Sequence, residues 1–186
     1  VVARVPAGGR ADVDKAVAAA RAAFDTWSRT STAERGALLG RIHEGLKARS
    51  DEIARTIATE VGTPLKMAQR IQAALPVSSF GLYSGLVAEF PFEEQVGNAT
   101  VVREPVGVVA AITPWNVPLY VNIGKVIAAL LAGCTVVLKP APDTPKMGAI
   151  MGELAIEARF PPGVFNVVTS ADPAMAGEML VADPRV

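Results

Sequence analysis

The sequence predicts an α/β fold: a helical N-terminal segment over residues 1–99, then residues 100–186 as part of a parallel sheet wrapped by crossover helices. Three observations lead there. Apolar residues in the first half recur at intervals of three and four. After "EFPFEEQVGN" that period gives way to valine-rich runs. Those runs then alternate with helical stretches, the pattern of βαβαβ units with right-handed crossovers.

From Ala11 to about Arg29, the residues Val13, Val17, Ala20, Phe24 and Trp27 form one face of an amphipathic helix. "STAE" offers Ser31 as N-cap and Glu34 three residues on, a reciprocal capping box, so a second helix follows and buries Leu38, Leu39, Ile42 and Leu46. Ser50 or Asp51 caps a third, with Ile53, Ile57 and Val61 on one stripe and Gly62 as its stop. Thr63 and Pro64 start a fourth, longer helix. Pro105 splits "TVVREPVGVVAAITP" into two strands, Thr100 to Arg103 and Val106 to Ile112. The second is apolar on both faces and suits the buried middle of a parallel sheet. The loop "TPWNV" leads to a helix from about Pro118 to Ala132 that ends at Gly133. Then come the strand "CTVVLK", the helix "TPKMGAIMGELAIEA", the strand "GVFNVVT" and the helix "DPAMAGEMLVA".

Of the 186 residues 51% are apolar and 19% charged, with 18 basic against 18 acidic, enough for a core and no excess charge to keep the chain unfolded. The balance excludes a polybasic nucleic-acid surface. Pro114, Asn116, Pro118, Asn122 and Lys125 keep every apolar run too short for a membrane span. No basic stretch followed by an apolar one opens the chain, so no signal peptide is read there. One cysteine forms no intrachain disulfide and fits a reducing, cytoplasmic compartment. His, Cys, Asp and Glu show no metal-ligand spacing.

Ligands of open parallel sheets bind beyond the carboxyl ends of the strands. Asn116 lies just past the end of one predicted strand and Lys139 closes the next. If those strands are neighbours, both residues sit on one edge. Asn116 is then a site residue or the N-cap of the helix at Pro118, and Lys139 a site residue or a solvated loop lysine. Cys134 begins its strand, at the opposite edge, and reads as a structural thiol. Lys125 extends its charge from an apolar helix, and His43 reads as structural or solvated. No G-x-G-x-x-G follows any predicted strand, so the common dinucleotide fingerprint is absent.

"EPVGVVAAITPWNVPL", "KVIAALLAGCTVVLKPAPDTP" and "PPGVFNVVT", in this order and spacing, resemble the aldehyde dehydrogenase superfamily. "PWN" followed 23 residues after its asparagine by "KP" is the most specific part, and "RAAFDTW" and "ERGALL" extend the likeness to the helical start. The resemblance implies oxidation of an aldehyde to an acid with NAD or NADP, through a thiohemiacetal on a cysteine. It implies a Rossmann-like dinucleotide-binding domain that lacks the glycine fingerprint. By the same resemblance Asn116 is the donor to the oxyanion formed when the thiolate adds. Lys139 hydrogen-bonds the adenosine ribose. Ile112, Thr113, Pro114 and Trp115 form the wall along the cofactor, and Ala141 and Pro142 continue the cofactor segment.

Many NAD-preferring members carry a glutamate where this chain has Pro142; its loss removes a repulsion against a 2′-phosphate and implies dual or NADP-tilted use. Family members are much longer, and their nucleophilic cysteine and general-base glutamate lie beyond the position matching Val186. Residues 100–186 are thus expected to form an incomplete dinucleotide-binding unit with an open sheet edge, inactive and prone to aggregate alone. The alternative is a truncated, non-catalytic module that binds nucleotide or joins subunits. The family's dimers or tetramers form through an extended β-arm, to which "EQVGNATVVREP" is expected to contribute.

Overall fold

The computed structural model describes residues 3–186. Helices α1 (Arg10–Trp27), α2 (Thr32–Ala48) and α3 (Ser50–Val61) are followed by α4 (Leu65–Met67), a π-helical segment (Ala68–Ala74) and α5 (Leu75–Glu89), which run on without a break. A hairpin, β1 (Glu93–Val96) and β2 (Ala99–Val102), comes next. The remainder alternates as β3 (Val108–Ile112), α6 (Pro118–Leu131), β4 (Thr135–Lys139), α7 (Pro145–Glu157), β5 (Phe165–Val167) and α8 (Pro173–Ala182). All three of these later helices begin at proline, whose fixed φ suits the first turn and whose missing N–H costs nothing there.

The three strands form a parallel sheet in the order β3-β4-β5. β4 is buried along its whole length. One face is covered by α1 and α8 through a small core of Val13, Val17, Val108, Val137 and Leu180. The other carries the larger core, in which α6 and α7 lie on the sheet while α2, α3, the π-helical segment and α5 close over them. The helical first half and the strand-bearing second half therefore share one core: Trp27, Leu39 and Phe80 belong to the same cluster as Ile127, Leu138 and Leu154.

Polar contacts pin these layers. Ser31 and Glu34 form the expected capping box at the start of α2. Two arginines of α2 then reach the C-terminal ends of both crossover helices. Arg35 Nε donates to Leu131 O at 2.9 Å and Arg41 Nε to Ala158 O at 2.9 Å, meeting carbonyls that the helices leave unbonded. Arg35 is buried, has no carboxylate among its hydrogen-bond partners in the described residues, and also donates to Thr30 O, so it joins the α1–α2 turn, α2 and α6. On the other face Thr135 Oγ1 donates to Ala20 O at 2.9 Å, tying β4 to α1.

Several expectations are corrected. The strand expected over Val106 to Ile112 starts at Val108, because Gly107 sits at φ 129° and Val106 is 88% exposed. Among the described residues it is an edge strand; β4 is the buried centre. Neither Ser50 nor Asp51 caps α3: the N-cap position is Arg49, with no side-chain cap, because α3 leaves α2 after one residue. Arg49 instead bridges Glu52 and Glu153 at 2.8 Å each. The long fourth helix contains a π-helical segment. Pro76 stands just beyond its end, after Leu75, and a proline there has no N–H for the Gln72 carbonyl and clashes with it in α geometry. The strand expected over Thr100 to Arg103 runs from Ala99 to Val102 and is one half of a hairpin whose first strand, Glu93–Val96, falls largely in the segment expected to contribute to a β-arm; the turn at Gly97 has φ 62°.

Gly163 shows how closely α1 meets the sheet. It has φ 85°, and a Cβ there would lie 2.5 Å from Ala19 O. Gly163→Ala combines left-handed strain of about 1–2 kcal/mol with a backbone clash. The whole protein carrying it is expected to lose at least about 2 kcal/mol in denaturant unfolding; an unchanged midpoint contradicts the packing of α1 on β5.

Candidate active site

The parallel register sets Ile112 beside Lys139, and Thr113 N donates to Lys139 O at 3.2 Å, so the ladder continues past the end of β3. This places the loop 113–117 and the end of β4 on one edge of the sheet, the carboxyl edge where such folds bind ligands. The two residues singled out in the sequence therefore share an edge.

Asn116 is exposed and is not the helix cap. The N-cap position of α6 is Val117, at φ −139°, with no side-chain cap bond. The asparagine amide is exposed and not spent on capping α6. Trp115 is 53% exposed and Ile112 37%, and Pro114 is exposed beside them, so this stretch presents apolar surface around the amide.

Lys139 is the opposite case. It is only 5% exposed, and among the described residues its ammonium makes one long hydrogen bond, Nζ to Pro140 O at 3.5 Å. Burial holds its pKa below the ordinary lysine range, and no carboxylate offsets that cost. Val136 and Leu138 belong to the larger core and Val137 to the smaller one, so strand alternation turns Lys139 to the α1 and α8 face. Ala141 is buried and Pro142 exposed. Both border a cleft of about 240 Å³ between the ends of β4 and β5, closed on its far side by Pro6, Thr169 and Ser170.

The remaining candidates are structural. Cys134 is buried at the amino edge, its N–H bonded to Ala129 O at 3.0 Å. His43 stacks on Phe80 with ring centroids 5.3 Å apart. Lys125 lies on the exposed side of α6. Sequence reasoning gave Thr113 a place along the cofactor but not a buried hydroxyl, and passed over Asn122 and Thr144 as site residues. The Oγ1 atoms of Thr113 and Thr144 and both amide atoms of Asn122 are buried without a hydrogen-bond partner in the structure. Their signal was an asparagine inside an apolar helix, noticed only as an interruption of the apolar run.

A dinucleotide suits this edge. A buried ammonium with unused donors seeks hydroxyl or phosphate oxygens, and the exposed Ile112, Pro114 and Trp115, with Thr113 buried among them, suit flat apolar rings.

Comparison with known proteins agrees with the geometry. The model of the aldehyde dehydrogenase family matches residues 1–186. A curated relative, the 3-succinoylsemialdehyde-pyridine dehydrogenase of a Pseudomonas species, is 42% identical over all of this chain and 39% of its own length. Aldehyde dehydrogenase C of Pseudomonas syringae, solved as a mutant with NAD+ and octanal, is 45% identical with a TM-score of 0.91, over 96% of this chain and 37% of that one. The aldehyde dehydrogenase of Mycobacterium tuberculosis, solved with NAD+, is 38% identical with a TM-score of 0.91, over 98% of this chain and 38% of that one. The chain thus spans about 39% of the length of the curated relatives it matches. With the family model matched from end to end and the fold shared at this level, the chain belongs to the aldehyde dehydrogenase family.

Proposed function

We propose that the whole protein is an NAD(P)-dependent aldehyde dehydrogenase, oxidising an aldehyde to a carboxylic acid, and that this chain supplies its oxyanion donor, Asn116, and a cofactor anchor, Lys139. The supporting observation is their shared edge: an exposed amide that caps nothing and a buried ammonium with almost no partner, both fixed by the β3–β4 register.

The Asn116 amide donates to the carbonyl oxygen as negative charge grows there during nucleophilic attack. Because the donor is held in place before reaction, it stabilises that charge without reorganising. Lys139 donates to oxygens of the cofactor's adenosine ribose, while Ile112, Thr113, Pro114, Trp115, Ala141 and Pro142 shape the groove along which the cofactor lies. The cofactor, when bound, accepts the hydride. Cys134 is buried at the far edge and is not the nucleophile; that thiol belongs to the part of the protein outside this chain. The β1–β2 hairpin, exposed along both strands, is the proposed arm for a homodimer or homotetramer, and the cytoplasm the proposed compartment.

In the whole enzyme Asn116→Ala is expected to lower the acylation rate by about 10²- to 10³-fold while leaving cofactor affinity nearly unchanged, read from the pre-steady-state burst and from fluorescence titration. Equal loss in both contradicts the assignment.

Lys139→Met should do the reverse, weakening cofactor binding by about 10- to 100-fold. Charging Lys139 costs stability in the free protein below its lowered pKa, and that cost fades as pH rises through that value towards the unfolded one. The free Lys139→Met enzyme should therefore melt no lower than wild type near neutral pH. Cofactor oxygens favour the charged form, so wild-type affinity should fall as pH rises through the lysine's titration, and the variant should lack that fall.

Pro142 offers no carboxylate to repel a 2′-phosphate, so NADP is expected to be used at least comparably with NAD, and Pro142→Glu to shift kcat/KM towards NAD. A strong NAD preference in the unmodified enzyme contradicts this.

A further inference from the structure

Asn122 has a burial that its surroundings do not explain. It is 1% exposed, it sits in α6 among Leu119, Ile123 and Val126, and neither its Oδ1 nor its Nδ2 has a hydrogen-bond partner among the described residues. Each buried group left unpaired costs about 1–3 kcal/mol, and a leucine would fill this position without that cost. Interiors meet such groups with ordered water held by two to four polar partners.

Two further unpartnered groups stand at the ends of elements that pack against α6. Ala111 of β3 belongs to the larger core with Leu119 and Ile123. Thr113 follows it by two residues, and its N–H continues the ladder, so strand alternation sets its side chain on the same, α6-facing side. Thr113 Oγ1 is buried and unbonded. Thr144, at the N-cap position of α7, is 1% exposed with an unbonded Oγ1, and α7 packs beside α6. β3 and α7 both pack against α6, the helix into which the loop carrying Asn116 leads.

We propose that Asn122 is a positioning residue that, through water shared with Thr113 Oγ1 and Thr144 Oγ1, fixes the 113–116 segment and with it the Asn116 amide. This rests on the oxyanion role proposed for Asn116. Thr113 is held from the other side by its own N–H to Lys139 O, so a second tether through its hydroxyl leaves the three residues to Asn116 little freedom. An amide aimed at a developing charge loses much of its effect when displaced by a fraction of an ångström.

The test uses the whole enzyme with Asn122→Leu, Thr113→Val and the double variant, measuring thermal midpoint, cofactor affinity and burst-phase acylation rate. Asn122→Leu is expected to melt at or above the wild-type temperature, to bind cofactor as wild type, and to acylate about 10-fold or more slowly. Thr113→Val should slow acylation comparably, and the double variant no further than either single one, because both remove one coupled unit. Wild-type acylation by Asn122→Leu, or losses that multiply in the double variant, overturns the proposal. Should Asn122→Leu fail to fold, Asn122→Ala is read by acylation rate per folded active site, and an unchanged rate overturns it equally. The Asn116→Ala control separates the two levels. If that variant acylates normally, the function proposed for the edge fails; if it is impaired while Asn122→Leu is normal, only the positioning role fails.

Discussion

The β3–β4 ladder is the constraint on which the rest depends. Because Ile112 pairs with Lys139 and Thr113 N reaches Lys139 O, the loop leaving one strand and the last residue of the next are locked side by side. A slip of one residue would turn each side chain to the other face of the sheet and put Lys139 into the apolar layer beneath α6. The register is protected by burial: β4 has no exposed residue, and its side chains alternate between two separate cores.

The helical first half makes this rigid. α2 spans the outside of the crossover helices, and its two arginines meet the carbonyl ends of α6 and α7. The helices that start at the site are thus gripped at their far ends. On the opposite face α1 is bonded to β4 through Thr135 and meets the turn before β5 at a glycine that admits no side chain. Trp27, Glu60 and Gln72 each leave one buried polar atom unpaired elsewhere, but the site edge gathers several such groups: Lys139 with one long bond, and the side chains of Thr113, Asn122 and Thr144 with none among the described residues. A well-packed domain keeps such groups where function requires them.

The alternation of strand and helix was readable because each element carries its own period and its own stop signal, such as Pro118, Gly133 and Pro145. The shared edge of Asn116 and Lys139 was readable on the condition that their strands are neighbours, a condition the β3–β4 pairing meets. What escaped reading depends on tertiary contact. Arg35 looks like any charged helix residue until its guanidinium is seen buried against Leu131 O. The π-helical segment arises from Pro76 within a helix that neighbouring layers hold intact. The shortened β3 and its edge position reflect which strands pair, and a valine-rich run does not encode that. Asn122 was visible as a residue, but its isolation from partners was not.

The most direct test of the account is hydrogen exchange of the whole enzyme with and without cofactor. The account predicts added protection concentrated in peptides covering 112–116 and 139–142, with none at 133–135 on the amino edge. Protection centred on the amino edge, or none at the carboxyl edge under saturating cofactor, would contradict it.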